Sequence, residues 1–407
     1  MSSITATLLS SMLVMLTDSP QEGADNDTMR LECLQSRYRR CIVVPSYRGD
    51  ASLGHQFGLR GRYVLRGNDA AVNKIQLDAA TRLSTKMIQN HELQLRLRDA
   101  WGHDEILRAG VAYIDDPVFP FFGVANHERL SRATLSDRRY SLELRSLAAH
   151  FSLQQTIWRD HSPSGKRAPN SKRRPNQVLR WFGGVRWAFD TIHADDDSAL
   201  IVERPEDGGT QYRGSVLSGV SWDSRNNEWA PSRGGMHDVS VELARPWAGS
   251  STTWTRANLS LRWYRPIGTP KLVFAQRLLV DVISGAPPIY TLGEFGGLSP
   301  VAGIGGRRSA RGISRRRFVG PAKTVSSTEL RFNAFTFAVA RRSVGVGIKA
   351  FADMGTVIQR QERWLQHLRY AAGGGIYVIW DRFFVFRVDL GVSDEGPQWY
   401  VVSNHMF

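Results

Sequence analysis

No run of about 18 consecutive apolar residues occurs in the chain, which excludes a membrane protein built from spanning helices. Cysteine is nearly absent: Cys33 and Cys41 are the two in 407 residues, too few for a disulfide-dense scaffold or a cysteine-rich metal centre. Eight positions apart, they read either as a disulfide formed in an oxidising periplasm or as two thiols near a loose N-terminus. Lysine is scarce as well. Seven of the 53 basic side chains are lysine, so 46 are arginine, against 38 acidic residues and a formal charge of +15. Such a balance raises the question of nucleic acid, but the arginines are scattered along the chain. The one dense basic segment, Lys166-Arg167 through Lys172-Arg173-Arg174, lies in a Pro/Ser/Asn loop with no aromatic platform, so no nucleic-acid partner is expected. Gly-x-Ser-x-Gly and His-Glu-x-x-His motifs are missing too, and no enzymatic activity, cofactor or metal is expected. Asp195-Asp196-Asp197 reads as a solvated loop.

Helical periodicity is also lacking; what the chain has is period two. Its 41 aromatic residues are too many for a disordered chain. Glu92-Leu93-Gln94-Leu95-Arg96-Leu97-Arg98 alternates without a fault, and the pattern recurs in Asp238–Leu243, Asn258–Trp263 and Phe384–Leu390. Successive side chains of a strand point to opposite faces, so these segments require one apolar and one polar environment. Alternating segments fall near 54–66, 71–84, 89–100, 104–115, 178–190, 212–224, 235–248, 252–266, 270–284, 324–338, 344–355, 366–380, 382–392 and 397–407. The stretch 136–160 has room for two more, giving sixteen. At 10–14 residues they match a tilted membrane crossing, and long connections (191–211, 285–323) alternate with tight ones such as Arg265–Thr269.

The expected fold is therefore all-β: a closed antiparallel transmembrane β-barrel of about 16 strands over residues 43–407. It follows a leader-like or signal-like N-terminal segment at 1–42. Arg96, Arg98, Glu242, Arg262, Arg387 and Asp389 fall on the polar faces, which a water-filled lumen would solvate. Alternation alone leaves the opposite arrangement open, a soluble β-sandwich or barrel with its apolar face inside. The final segment, Trp399 to Phe407, reads as a strand running to its last residue, and a terminal Phe on such a strand resembles the assembly signal of outer-membrane barrels.

Four ordered features carry a more specific resemblance. Val43–Tyr47 leads to Asp50–Gly54 as the start of a barrel. Phe121-Phe122-Gly123-Val124-Ala125-Asn126 resembles an aromatic-Gly-Ile-Gly-Asn element with Ala125 in place of the second Gly. Gly219–Arg225 contains Asp223-x-Arg225, followed by Pro231 and Gly234. The long region that follows carries Gly296-Gly297, Arg311-Gly312-Ile313, Glu329 and Phe351-Ala352-Asp353-Met354-Gly355. In this order the motifs are similar to those of the BamA/TamA outer-membrane barrel superfamily, the bacterial surface antigen family.

That resemblance implies a long loop folded into the lumen. There Arg311 would pair with Asp353 and share Glu329, while Gly312 lets the loop pass close to the wall. Ordering some 35 loop residues costs about 1–2 kcal/mol each, and a bidentate Arg–carboxylate pair offsets part of that. The resemblance also implies a bacterial outer-membrane location with lipid around the barrel. First and last strands that pair poorly would open as a seam, placed here between 54–66 and 397–407, to assist insertion or translocation of proteins. Unfolded outer-membrane proteins are then the expected clients. Barely 50 residues precede the expected first strand, too few for a periplasmic POTRA module, so a separate periplasmic partner is expected. The competing reading is a passive pore or structural surface barrel plugged by the loop.

Overall fold

The computed structural model describes residues 39–50, 53–66, 73–128, 130–160, 177–339, 342–359, 366–380, 384–403 and 405–407. The leader, Cys33 and the basic loop around Lys166 lie outside these residues; Cys41 is disulfide-bonded. Sixteen strands close into an antiparallel barrel in chain order. They are β1 (Arg39–Asp50), β2 (Gly54–Arg66), β3 (Asn73–Ser84), β4 (Gln89–Arg98), β5 (Ile106–Pro120) and β6 (Ser141–Arg159). β7 (Val178–His193), β8 (Gly209–Asp223), β9 (Gly234–Ala244), β10 (Trp254–Ile267) and β11 (Thr269–Gly285) continue the wall. β12 (Ala322–Val339), β13 (Arg342–Ile358), β14 (Arg369–Trp380), β15 (Phe384–Ser393) and β16 (Gly396–Ser403) complete it.

The direction of the alternation decides between lipid and water. Along β12, Glu329 and Arg331 are 0% and 3% exposed, whereas Leu330 between them is 42% exposed. Outward rows elsewhere carry Phe57 and Leu59, Leu93, Val239 and Val241, Ile348 and Leu390, all exposed, while Arg82, Glu242, Arg387 and Asp389 are buried. Apolar side chains outside and charged side chains inside are the arrangement of a barrel in a lipid bilayer, not of a soluble one.

Sixteen strands were expected, but two positions need correction. The stretch 136–160 holds one strand of 19 residues, β6, instead of two. The additional strand is β1, whose run Cys41-Ile42-Val43-Val44 does not alternate and is followed by Pro45; proline removes a ladder donor and is confined to edge strands, so the segment reads poorly as a strand. The seam therefore joins β1 to β16, and 54–66 is the second strand. β16 also stops at Ser403 rather than at Phe407.

Antiparallel order places the connections after β5, β7, β11 and β13 at one end. Those after β8, β10 and β14 lie at the other, with both ends of the described chain. The connection from β11 to β12, residues 286–321, is the longest, with one short helical turn (Ile289–Leu292) and a two-residue ladder pairing Glu294–Phe295 with Val301–Ala302.

Candidate functional site

The 286–321 connection packs against the polar, buried faces of the wall. At its centre, Arg311 is completely buried. Its Nε and Nη2 donate to the two oxygens of Asp353 on β13 at 2.8 and 3.0 Å, a bidentate pair, and its own main-chain N–H donates to Asp353 at 2.9 Å. Nη1 donates to Glu329 on β12 and, at 3.3 Å, to Asp389 on β15. The guanidinium lies 3.5 Å from the centroid of the Phe351 ring. One loop side chain thus reaches three wall strands. Lys349 bridges Glu329 (3.1 Å) and Asp389 (2.9 Å), Arg331 donates to Glu329 at 2.7 Å, and Arg387 pairs with Asp389. Four cations thus meet three carboxylates in a buried network, in which each charge needs its partners because desolvation is costly.

Gly312 follows with φ +95°, and a Cβ there would stand 2.9–3.0 Å from the main chain of Gly391 and Val392 on β15. Only a residue without a side chain allows this approach. The Gly312 N–H donates to Tyr400 Oη (3.0 Å), and Ser393 Oγ donates to the Gly312 carbonyl (2.6 Å). Ile313 is buried in an apolar cluster with Ile304, Phe318, Val325 and Val357. Gly355 faces this cluster beside Val325 and Ile304.

A second anchor holds the loop's first part. Gly296 N–H donates to Asp281 (2.8 Å), which also receives Lys323 Nζ (2.8 Å). Arg256 links Glu242 (3.1 Å) to the Thr291 carbonyl (2.6 Å), and Arg186 links Glu242 (3.1 Å) to the Gly297 carbonyl. A Cβ on Gly296 would collide with the Arg256 side chain. Neither Arg256 nor Asp281 stood out in the sequence. Each is one charge on an alternating face, and the close backbone approach of Gly296 gives it its role.

The Phe121–Asn126 element is joined to the same loop. Ala125 N–H donates to the Val319 carbonyl (2.8 Å), Val124 forms a parallel bridge with Val319, and Asn126 Nδ2 donates to the Phe122 carbonyl (2.7 Å). Gly123 lies against Glu203. Asp195 pairs with Arg138 across two outer connections (2.8 Å).

At the opposite end, Asp223 and Arg225 pair at 2.8 Å, Pro231 is buried and Gly234 begins β9 against Ser224. The turn they frame, 224–233, reaches across the barrel. Glu228 accepts from Arg96 (2.9 Å) and Arg98 (3.0 Å) on β4, and Arg62 on β2 lies 5.2 Å from the Trp229 ring centroid. Burial tends to raise the Glu228 carboxyl, but the Arg96 and Arg98 charges outweigh it and hold it down at about 2. Glu228 and Trp229 carried no signal in the sequence beyond standing between Arg225 and Pro231.

The seam is the least complete ladder. Among the described residues β1 pairs with β16 at a single position, Gly49 with Val401, whereas β16 pairs with β15 over eight positions and β1 with β2 over twelve. Trp399 lies outside β16 over Gly49, where a Cβ would stand 2.7 Å from its ring, with His55 of β2 at 5.6 Å between ring centroids. Phe407 does not continue the strand. It turns inside the barrel, 5.0 and 5.1 Å below the guanidinium groups of Arg277 and Arg331 and 6.3 Å from Tyr264, while His405 packs edge-on against Tyr377. Polar and cationic partners within the lumen win over an outward apolar position because Ser403-Asn404-His405 offers no apolar row to continue outside.

The Omp85 superfamily domain matches residues 131–397 of the chain, and no curated protein matches it in sequence. Among solved structures, BamA from Haemophilus ducreyi lacking POTRA domains 1–3 aligns with a TM-score of 0.56 at 12% identity, over 89% of this chain and 70% of that one. CdiB from Escherichia coli aligns with a TM-score of 0.58 at 12% identity, over 91% of this chain and 63% of that one. For CdiB from Acinetobacter baumannii the values are 0.51 and 13%, over 91% and 60%. The chain thus spans under two thirds of either CdiB, and at these identities the likeness is one of fold. The motif-bearing loop, the inside-out alternation and the family match agree: this chain belongs to the Omp85 superfamily and is a β-barrel of the bacterial outer membrane.

Proposed function

We propose that the barrel assists insertion or translocation of proteins at the outer membrane through a lateral seam between β1 and β16, with Arg311 locking the inner loop in place. The single observation that carries this reading is the seam, one backbone pair among the described residues, beside the Trp399–Gly49 contact. A strand edge left unpaired offers main-chain donors and acceptors to an incoming strand, with affinity independent of that strand's sequence. Unfolded outer-membrane proteins are the clients of this reading, and a separate periplasmic protein delivers them.

The experiment is the folding of an unfolded outer-membrane protein into liposomes containing the barrel. It uses Gly49→Cys/Val401→Cys in a Trp399→Ala, Cys33→Ser, Cys41→Ser background. Acceleration by the reduced barrel that disappears on oxidation supports the seam. Equal acceleration in both states, or none, overturns it. A second reading, a passive or structural barrel plugged by the loop, draws on the burial of the Arg311 network. It predicts no acceleration and an ion conductance that rises in Arg311→Ala.

A further inference from the structure

We propose that the inner wall around Arg96 and Arg108 is a binding site for small multivalent anions of the phosphate type, and that Glu228 is an internal carboxylate such an anion displaces. Arg96 on β4 and Arg108 on β5 stand directly opposite each other in the ladder, both on the inward face. Like charges in that relation repel. The wall holds another such pair, Arg331 opposite Lys349, and there Glu329 bonds both cations at 2.7 and 3.1 Å. Among the described residues the only carboxylate contact of Arg96 is Glu228, which bonds Arg96 and Arg98. Arg108 has neither a hydrogen bond nor an ion pair among the described residues. A third opposed pair, Arg262 and Arg277, also lacks a carboxylate among the described residues; Arg277 Nη1 and Nη2 donate to the Met406 and Arg308 carbonyls and to Ser327.

These groups are wet. The Arg96, Arg98 and Glu228 side chains are 16%, 29% and 40% exposed, so each keeps a solvent-accessible surface. Glu228 comes from the 224–233 turn, which can withdraw without breaking a wall ladder. Planar guanidinium groups on adjacent strands match several oxygens of one anion at once, which a single carboxylate cannot do for three arginines.

The test is titration calorimetry of the refolded barrel in uncharged detergent at low salt, with inorganic tripolyphosphate as the probe. Wild type is expected to bind saturably. Arg96→Gln/Arg108→Gln is expected to weaken binding by roughly tenfold or more, and Glu228→Gln to tighten it by roughly threefold to tenfold. Asp195→Asn and Arg138→Gln/Arg139→Gln alter net charge equally on the outer connections and should leave binding unchanged. The site is overturned if wild type shows no saturable binding, or if the outer-connection variants shift it as much as the lumen variants do. It is overturned equally if Glu228→Gln binds no better than wild type. The slowing of each unboiled band on boiling shows that the variant has folded; if Arg96→Gln/Arg108→Gln does not fold, the Glu228→Gln outcome decides alone.

Discussion

Gly312 of the inner loop and Gly391 of β15 meet backbone to backbone: a Cβ on Gly391 would stand 2.7 Å from the Gly312 nitrogen. That contact seats Arg311, one residue earlier, against Asp353. Gly391→Ala therefore moves the loop, not the wall strand, which is held by ladders on both sides. Overpacking of this kind costs about 1–3 kcal/mol. The expected result is a barrel that still migrates fast before boiling but is cut by protease within 286–321, where wild type resists. An uncut Gly391→Ala loop would show that the contact does not seat it.

Arg311→Ala removes the cation that, alone among the described residues, bonds Asp353, while Glu329 and Asp389 keep Lys349, Arg331 and Arg387. A buried carboxylate left without a partner costs about 3–5 kcal/mol. Arg311→Ala/Asp353→Ala should cost less than the sum of the single changes, since neither charge is then stranded. Arg311→Lys should recover little, because it loses both the bidentate geometry and the stack on Phe351. The temperature at which the unboiled band converts to the slow form measures all four.

How much of this was legible follows from which physical signal each part leaves. The faultless alternation of Glu92–Arg98 fixes β4 because a strand exposed to lipid on one face and water on the other needs it. β1 leaves no such trace: Pro45 and an unalternating apolar run mark an edge strand, and an edge is the place where strand rules relax. Arg311, Asp353 and Glu329 were readable through the motif order shared with the family. Asp389, Lys349 and Arg256 were not, since a charge on an inward face looks the same whether it meets water or a loop. Phe407 was misplaced because alternation predicts where a strand would put it but not where the strand stops.

Glu228 gives a pH dependence with a defined sign. Its carboxyl sits at about 2 in the folded chain against an ordinary 4.5. A lowered folded pKa means the contribution is fully present above the ordinary value and is lost as pH falls through about 2. The difference in conversion temperature between wild type and Glu228→Gln should hence be constant above pH 4.5 and shrink steadily toward pH 2. A difference that persists unchanged at pH 2 would separate the turn's contribution from the Glu228 charge.

Phe407 is held inside by two guanidinium faces, each worth about 0.5–2 kcal/mol, and by the Tyr264 ring. Continuing the Gly49–Val401 register places Tyr47 opposite Ser403 and Pro45 opposite His405, so a tail drawn into the lumen is a tail withheld from β1. Phe407→Ala frees it. The ladder can then lengthen, short of the one hydrogen bond that Pro45 cannot donate. Hydrogen exchange at those of the β1 amides between Val43 and Tyr47 that point toward β16, not those already bonded to β2, should slow in Phe407→Ala, while β10 and β11 amides stay as slow as in wild type. Faster exchange at these β1 positions would mean the opposite: that the inward tail braces the seam.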